Sequence, residues 1–289
     1  MNLLENTHIV EYMFGSMYAN HLEFLKQSFR GMNDEYRGKV KKQESFVMKS
    51  LQSIYIKIFG VPEIGFQIRH VHFIKALELI KHKKFTRIMD AGSGIGCYTL
   101  ALARRYPHAS VLGVDNSKKN MLIGKTMAKT RTVANTKFIV GNLEHPMKEK
   151  FDFIVCIDVL EHIENYQRVL KNFYRSLGRG GYLYIHVPQM HQKRFFKQFQ
   201  TWSHEGHVRE GFIPSSFQKD LKNIGFQKIG VWNTFGVLGS LAWELNHLAL
   251  SKSFIVAALI YPFLLPFIIV DRYMYNKKGL AASYVYRKI

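Results

Sequence analysis

Three acids and a run of alternate glycines carry most of the chemistry legible in this 289-residue sequence. The stretch Ile88-Met89-Asp90-Ala91-Gly92-Ser93-Gly94-Ile95-Gly96 places glycines directly after a short apolar run. Lacking Cβ atoms, they permit a tight turn and let a ligand lie on the backbone itself. Open α/β sheets bind ligands at such points, outside the carboxyl ends of their strands. A dinucleotide turn reads G-x-G-x-x-G and needs glycine at position 97, where this chain has Cys97. The spacing here is G-x-G-x-G, opened by Asp90. Taken alone it leaves open a nicotinamide nucleotide site or a purely structural turn. Asp115 stands 21 residues after Gly94, close to the separation of about 20 at which an acid meets ribose hydroxyls. One carboxylate accepts hydrogen bonds from both hydroxyls of a vicinal diol.

Further along, Asp158-Val159-Leu160-Glu161-His162-Ile163 closes another apolar run, and Asn142-Leu143 closes a third. Taken in order, these segments resemble the class I S-adenosylmethionine (SAM)-dependent methyltransferases. The last hexapeptide is similar to the D-x-L-E-H-I signature of the ubiquinone- and menaquinone-biosynthesis type of small-molecule methylases. The resemblance covers roughly residues 85–233 and returns at the C-terminal strand. It implies SAM as cofactor, held by Asp90, Gly92, Gly94, Gly96, Asp115, Asn116, Asn142, Leu143, Asp158 and Val159, with Asn142-Leu143 beside the adenine. Some relatives use an arginine before the glycine turn for the methionyl carboxylate, a task suited to a guanidinium fork. Arg69 occupies about that place here, at a slightly longer spacing, and a plain surface arginine is the other reading.

A base is needed only for a hydroxyl or acidic-carbon acceptor. His186, His191, His204 and His207 lie in or after the fifth strand, and His191, His204 and His207 are the catalytic candidates. The ionisable, glycine-bearing stretch Ser203–Phe212 reads as a lid over the acceptor, although ordinary surface histidines fit it too. His207 with Glu210 lacks a third metal ligand in the sequence, so no metal is expected.

Positioning these groups requires a particular fold. Apolar runs at Phe85–Asp90, Ser110–Asp115, Lys137–Gly141, Phe153–Asp158 and Tyr182–Val187 alternate with helical stretches, one of them predicted over Leu160–Leu177. Strands alternating with helices imply a parallel sheet covered on both faces. A helix over Pro214–Ile224 and strands at Phe226–Trp232 and Ser283–Arg287 complete an α/β, Rossmann-like seven-stranded class I methyltransferase sheet. Residues 1–84 carry helical periodicity (Leu22, Leu25, Phe29; Val71, Phe73, Leu77, Leu79, Ile80) and are expected to form an N-terminal helical cap. Residues 85–289 form the SAM-binding domain.

Residues 234–280 interrupt that domain between strands 6 and 7. Eighteen uncharged residues, Ser253–Val270, would reach about 27 Å as a helix, nearly a bilayer core. A single crossing would strand the last strand on the far side of a membrane, and both flanks are basic. Pro262 and Pro266 are expected to break a straight helix. The reading is a hydrophobic helical hairpin, Leu238–Leu250 against Phe254–Tyr273, that either caps the protein or dips into one leaflet.

A formal charge of +20 either merely solvates the surface or attracts an anionic partner: nucleic acid, an acidic lipid surface or a phosphorylated substrate. Basic side chains near an anionic leaflet contribute about 1 kcal/mol each. Nucleic-acid methylation is disfavoured, because Asp158-Val159-Leu160-Glu161 stands where base-amino methylases carry Asn/Asp-Pro-Pro-aromatic. Two cysteines, Cys97 and Cys156, make no disulfide framework or zinc spacing, and the N-terminal residues lack a signal-peptide pattern. The expectation is a cytoplasmic protein, peripheral and monotopic on the inner membrane face, that methylates a small-molecule, lipid-like or isoprenoid/quinone-type acceptor. The competing readings are an RNA or other nucleic-acid methyltransferase and a non-catalytic SAM-binding, membrane-associated protein.

Overall fold

The computed structural model describes residues 55, 59, 62–200 and 206–289. The expected helices around Leu22, Leu25 and Phe29 lie outside the described residues. Two compact units are present: one comprises Ile68–Leu245 and Phe267–Ile289, the other the described residues up to Gln67 with Asn246–Pro266.

In chain order the elements are α1 (Ile64–Leu79), β1 (Arg87–Ala91), α2 (Cys97–Arg105), β2 (Ser110–Asp115), α3 (Lys118–Thr130), β3 (Thr136–Val140) and β4 (Phe151–Ile157). A 3-10 turn (Leu160–His162), α4 (Tyr166–Ser176), β5 (Leu177–Pro188), α5 (Pro214–Ile224) and β6 (Phe226–Thr234) follow. Then come α6 (Val237–Lys252), α7 (Phe254–Tyr273) and β7 (Ala281–Lys288).

The strands form one seven-stranded sheet in the order β3-β2-β1-β4-β5-β7-β6. The β1 strand lies between β2 and β4, parallel to both, with Asp90 opposite Gly113 and Val155. Strand order reverses at β1, so its carboxyl end is the switch point where such sheets bind ligands. The β7 strand is antiparallel to both β5 and β6. The inner strands carry near-continuous apolar runs because both faces are covered: Ile154, Val155, Leu183, Tyr184, Ile185, Tyr284 and Val285 are all buried.

The expected helix over Leu160–Leu177 is corrected. The chain makes one 3-10 turn and restarts at Tyr166, because the Asn165 side chain accepts from the Arg168 N–H at 3.2 Å and caps a new helix. This break holds Glu161 and His162 at the end of β4 instead of carrying them away along a helix. A second correction concerns Pro262 and Pro266, since α7 runs through both.

The hairpin of α6 and α7 is present, and β7 returns from it to the sheet. Its far end is anchored by a buried polar network. Asp271 accepts from the N–H groups of Gly236 (3.3 Å) and Gly239 (3.2 Å). His72 Nε2 lies 3.5 Å from the Asp271 carboxylate. The Trp232 indole donates to His72 Nδ1 at 3.0 Å. An indole N–H only donates, so the proton of His72 sits on Nε2, facing Asp271.

Candidate active site

Gly92, Gly94 and Gly96 all take left-handed backbone conformations, with φ of +76°, +52° and +87°. The N–H groups of Gly92 and Ser93 converge on the Val114 carbonyl at 2.8 and 2.9 Å, which fastens the turn to the end of β2. Beyond this shared conformation the glycines differ. A Cβ on Gly92 would collide with the side chain of Val159, and one on Gly96 with the Phe138 ring at 2.5 Å. A Cβ on Gly94 would meet no described atom within 4 Å. Two glycines are thus dictated by packing, and the middle one leaves open space above the backbone.

Asp115 borders that space. Its Oδ2 accepts from the Gly94 N–H at 3.0 Å; its Oδ1 accepts from the Ser117 N–H at 2.9 Å and from Asn120 Nδ2 at 3.3 Å. A carboxylate offers about four lone-pair sites, so one remains on Oδ2, and the long Asn120 bond is readily exchanged. Two sugar hydroxyls can therefore be received without breaking the turn. The open backbone at Gly94 and this spare acceptor capacity fit a nucleoside cofactor such as SAM.

The other expected cofactor residues fall into different environments. Asp90 is buried and accepts from Thr99 Oγ1 at 2.6 Å, so it ties the turn to α2. Burial pushes its carboxyl up to about 7, against the opposing pull of the Thr99 hydrogen bonds. Asn116 is exposed at the end of β2. Asn142 Oδ1 accepts from the Glu144 N–H at 2.9 Å, shaping the loop after β3. The Leu143 side chain belongs to the core, and its carbonyl accepts from Asn172 at 3.0 Å.

A second cluster forms after β4. Asp158 has a positive φ of +51° and receives Nε of Arg69 on one oxygen and Nδ1 of His186, at 2.5 Å, on the other. Burial would raise its carboxyl; Arg69, then His186, outweigh that and hold it well below the usual carboxylate range. The second nitrogen of His186 lies 3.0 Å from the Thr234 hydroxyl, so both of its ring atoms are engaged. Glu161 is buried, and its Oε2 has no hydrogen-bond partner among the described residues. Burial, then repulsion from Asp158, drives its carboxyl well above the usual range.

These groups line a cavity of about 240 Å³ together with His162, His207, Arg194, Phe235 and Trp243. It lies at the carboxyl ends of β4, β5 and β6 and the start of β7. A larger hollow of about 600 Å³, lined by residues of α4 and α5 such as Lys171, Tyr174 and Asp220, holds none of the Arg69, Asp158, Glu161 and His186 cluster, and neither hollow is lined by the glycine turn. Chemistry therefore assigns the site to the smaller cavity.

Of the histidines put forward as catalytic, His191 and His207 are among the described residues, and of these two His207 lines this cavity. His191 is exposed, at a φ of +60°, and does not line it. His204 lies outside the described residues. Arg69 lines the cavity but is turned onto Asp158. The sequence reading missed Glu161 and His162 as functional groups, along with the lining residues Arg194, Phe235 and Trp243. Glu161-His162 stood in plain view inside the hexapeptide; the others reach the cavity only through long-range packing. Glu210 is exposed, and the fold brings Glu161 and His162 to His207 instead.

A family model described as a methyltransferase domain matches residues 82–234, more than half of the chain. The chain is 29% identical over 113 residues to a trans-aconitate 2-methyltransferase of Deinococcus radiodurans, an alignment covering 39% of this chain and 42% of that protein. Over 111 residues it is 33% identical to a demethylmenaquinone methyltransferase of Geobacillus sp. (strain WCH70), covering 37% and 46% respectively. The chain thus spans less than half the length of these curated relatives. Among solved structures, coclaurine N-methyltransferase bound to N-methylheliamine and SAH superposes with a TM-score of 0.52 at 18% identity, covering 76% of this chain and 72% of that one. At that identity the superposition speaks for the fold. The family match runs through the glycine turn and Asp115 and on to the end of β6, and the chain therefore belongs to the methyltransferase-domain family, in the class I S-adenosylmethionine-dependent methyltransferase fold.

Proposed function

We propose that the protein transfers a methyl group from SAM to a small-molecule acceptor with a polar reacting end and a lipid-like, isoprenoid or quinone-type body. The observation that carries methyl transfer is the joined turn: open backbone at Gly94 with Asp115 hydrogen-bonded to it, bordering the strand ends that hold the cavity. When bound, SAM supplies a methyl group already activated on a sulfonium. The protein's own task is alignment and exclusion of water, and orientation of this kind contributes roughly 7–11 kcal/mol. Asp158, braced by Arg69 and His186, gives the cavity a fixed wall. His207 lines the cavity, and burial, then His162, lowers the pKa of its imidazole.

The nature of the acceptor's body rests on α7. Ile255, Leu259, Phe263, Val270 and Tyr273 are all exposed and recur at helical spacing along one face. Phe263 is 78% exposed. An exposed apolar stripe on a chain of charge +20 supports a peripheral, monotopic seat on an anionic membrane surface, where such an acceptor would dissolve. The return of β7 to the sheet argues against a single membrane crossing. Similarity to a demethylmenaquinone methyltransferase supports the quinone-type acceptor.

Incubation of lipid and metabolite extracts with the protein and methyl-labelled SAM tests the reading by mass spectrometry. A labelled apolar product is expected. Label confined to water-soluble metabolites would remove the lipid-like acceptor, and no labelled product in any extract would remove the transferase.

A further inference from the structure

We propose that Glu161, His162 and His207 form a binding site for a divalent transition-metal ion, of the zinc or ferrous class, at the wall of the cavity. Their ligating atoms lie within 4.8 Å of one another. Two imidazoles and one carboxylate suit such ions, with metal–nitrogen distances of about 2.0–2.1 Å for zinc, and three protein ligands leave a coordination position for substrate. Ligands of a tetrahedral zinc at that distance stand about 3.3 Å apart, so the triad, now within 4.8 Å, closes onto one ion through side-chain rotation.

Three observations beyond proximity favour a cation. Glu161 is 1% exposed and its Oε2 is unpartnered among the described residues, an arrangement that is costly unless something fills the place. His162 Nδ1 lies 2.8 Å from the Gly206 carbonyl. A carbonyl only accepts, so the proton is on Nδ1 and Nε2 keeps its lone pair, the outer-shell pattern that orients ligating histidines. Finally, the segment carrying His207 is tied to the turn carrying the other two ligands. The Val208 N–H donates to the Glu161 carbonyl at 3.0 Å. Arg209 donates to the carbonyls of Leu160, Ile163 and Glu164 at 2.6, 2.7 and 2.8 Å, its guanidinium stacked on Tyr166. Arg209 is thus a positioning residue.

An ion here would face the same cavity as the acceptor and would take an acceptor oxygen in its open position. Metal binding does not depend on the lipid-like acceptor, nor on methyl transfer.

The test is titration of the chelator-treated full chain with Co²⁺, followed by visible absorption and by competition with Zn²⁺, with SAM binding measured in the same samples. One equivalent should bind, and Glu161→Gln and His207→Ala should each weaken it by about 10–100-fold or more. His191→Ala, which removes an exposed histidine outside the cavity, should leave it unchanged. Matching thermal unfolding of the metal-free variants separates lost ligation from lost folding. Absence of saturable binding to the wild type, or equal binding by the Glu161→Gln and wild-type proteins, overturns the site. Retained SAM binding in those samples would leave the methyltransferase reading intact.

Discussion

The backbone N–H of Gly94 donates to the carboxylate of Asp115 at 3.0 Å, joining two residues that the sequence separates by 21 positions. The acid thereby both shapes the turn and faces the space above it. The two effects separate by mutation, because Gly92 shares the left-handed conformation of Gly94 but not its open surroundings.

Gly94→Ala adds a methyl group to open space at positive φ, so only backbone strain opposes folding, roughly 1–2 kcal/mol. Gly92→Ala adds the same strain and an overlap with Val159, about 1–3 kcal/mol more. Chemical denaturation should rank Gly92→Ala as the less stable variant. Calorimetry with SAM should show that Gly94→Ala, despite being the better folded, binds weakly.

Asp90 gives a pH signature. Its folded pKa, raised to about 7, exceeds the unfolded value near 4, so the folded state holds more protons between them. Its contribution to stability is fully present below the unfolded pKa and is lost as pH rises through about 7. Urea titrations of wild type and Asp90→Asn across that window should differ, with the asparagine variant showing a flatter fall. An identical slope would contradict the assignment.

His191 and His207 should part company. His191→Ala removes an exposed side chain outside the cavity, and turnover should stay within about twofold, as for a typical surface substitution. His207→Ala should reduce turnover at least tenfold while leaving SAM affinity unchanged, a split that steady-state kinetics and calorimetry together resolve.

On α7, Leu259 and Phe263 are 67% and 78% exposed. Burying each in a leaflet contributes about 1.5–3 kcal/mol. Leu259→Asp with Phe263→Asp should therefore cut binding to anionic vesicles by more than tenfold, with no loss of thermal stability. Flotation at low salt measures it, and unchanged flotation would contradict the membrane seat.

The parts of the fold readable from sequence were those governed by local periodicity and spacing. The β2 strand ends at Asp115 and α5 covers Pro214–Ile224, as expected, because one is marked by a terminal acid and the other by a proline at its start. The glycine turn was legible because its spacing is set by the backbone. The restart of the helix at Tyr166 is hidden in the sequence because the apolar pattern runs on through Asn165, whose side chain caps the new helix. The helix through Pro262 and Pro266 shows that proline propensity yields to tertiary context in so apolar a segment. Asp158 lies 89 positions from Arg69 and 28 from His186, and no local pattern announces such a cluster. The candidate site was therefore half legible: the cofactor side by spacing, the acceptor side only through the fold.

The central claim is that a nucleoside cofactor lies over Gly94 with its sugar on Asp115. Isothermal titration of SAM into wild type and Asp115→Ala tests it most directly. Hydrogen bonds to a charged group contribute about 1.5–3 kcal/mol, so the account predicts saturable one-to-one binding to wild type and roughly 10–150-fold weaker binding to the variant. Wild-type protein that is folded yet silent toward SAM, or a variant that binds it equally well, would contradict the account.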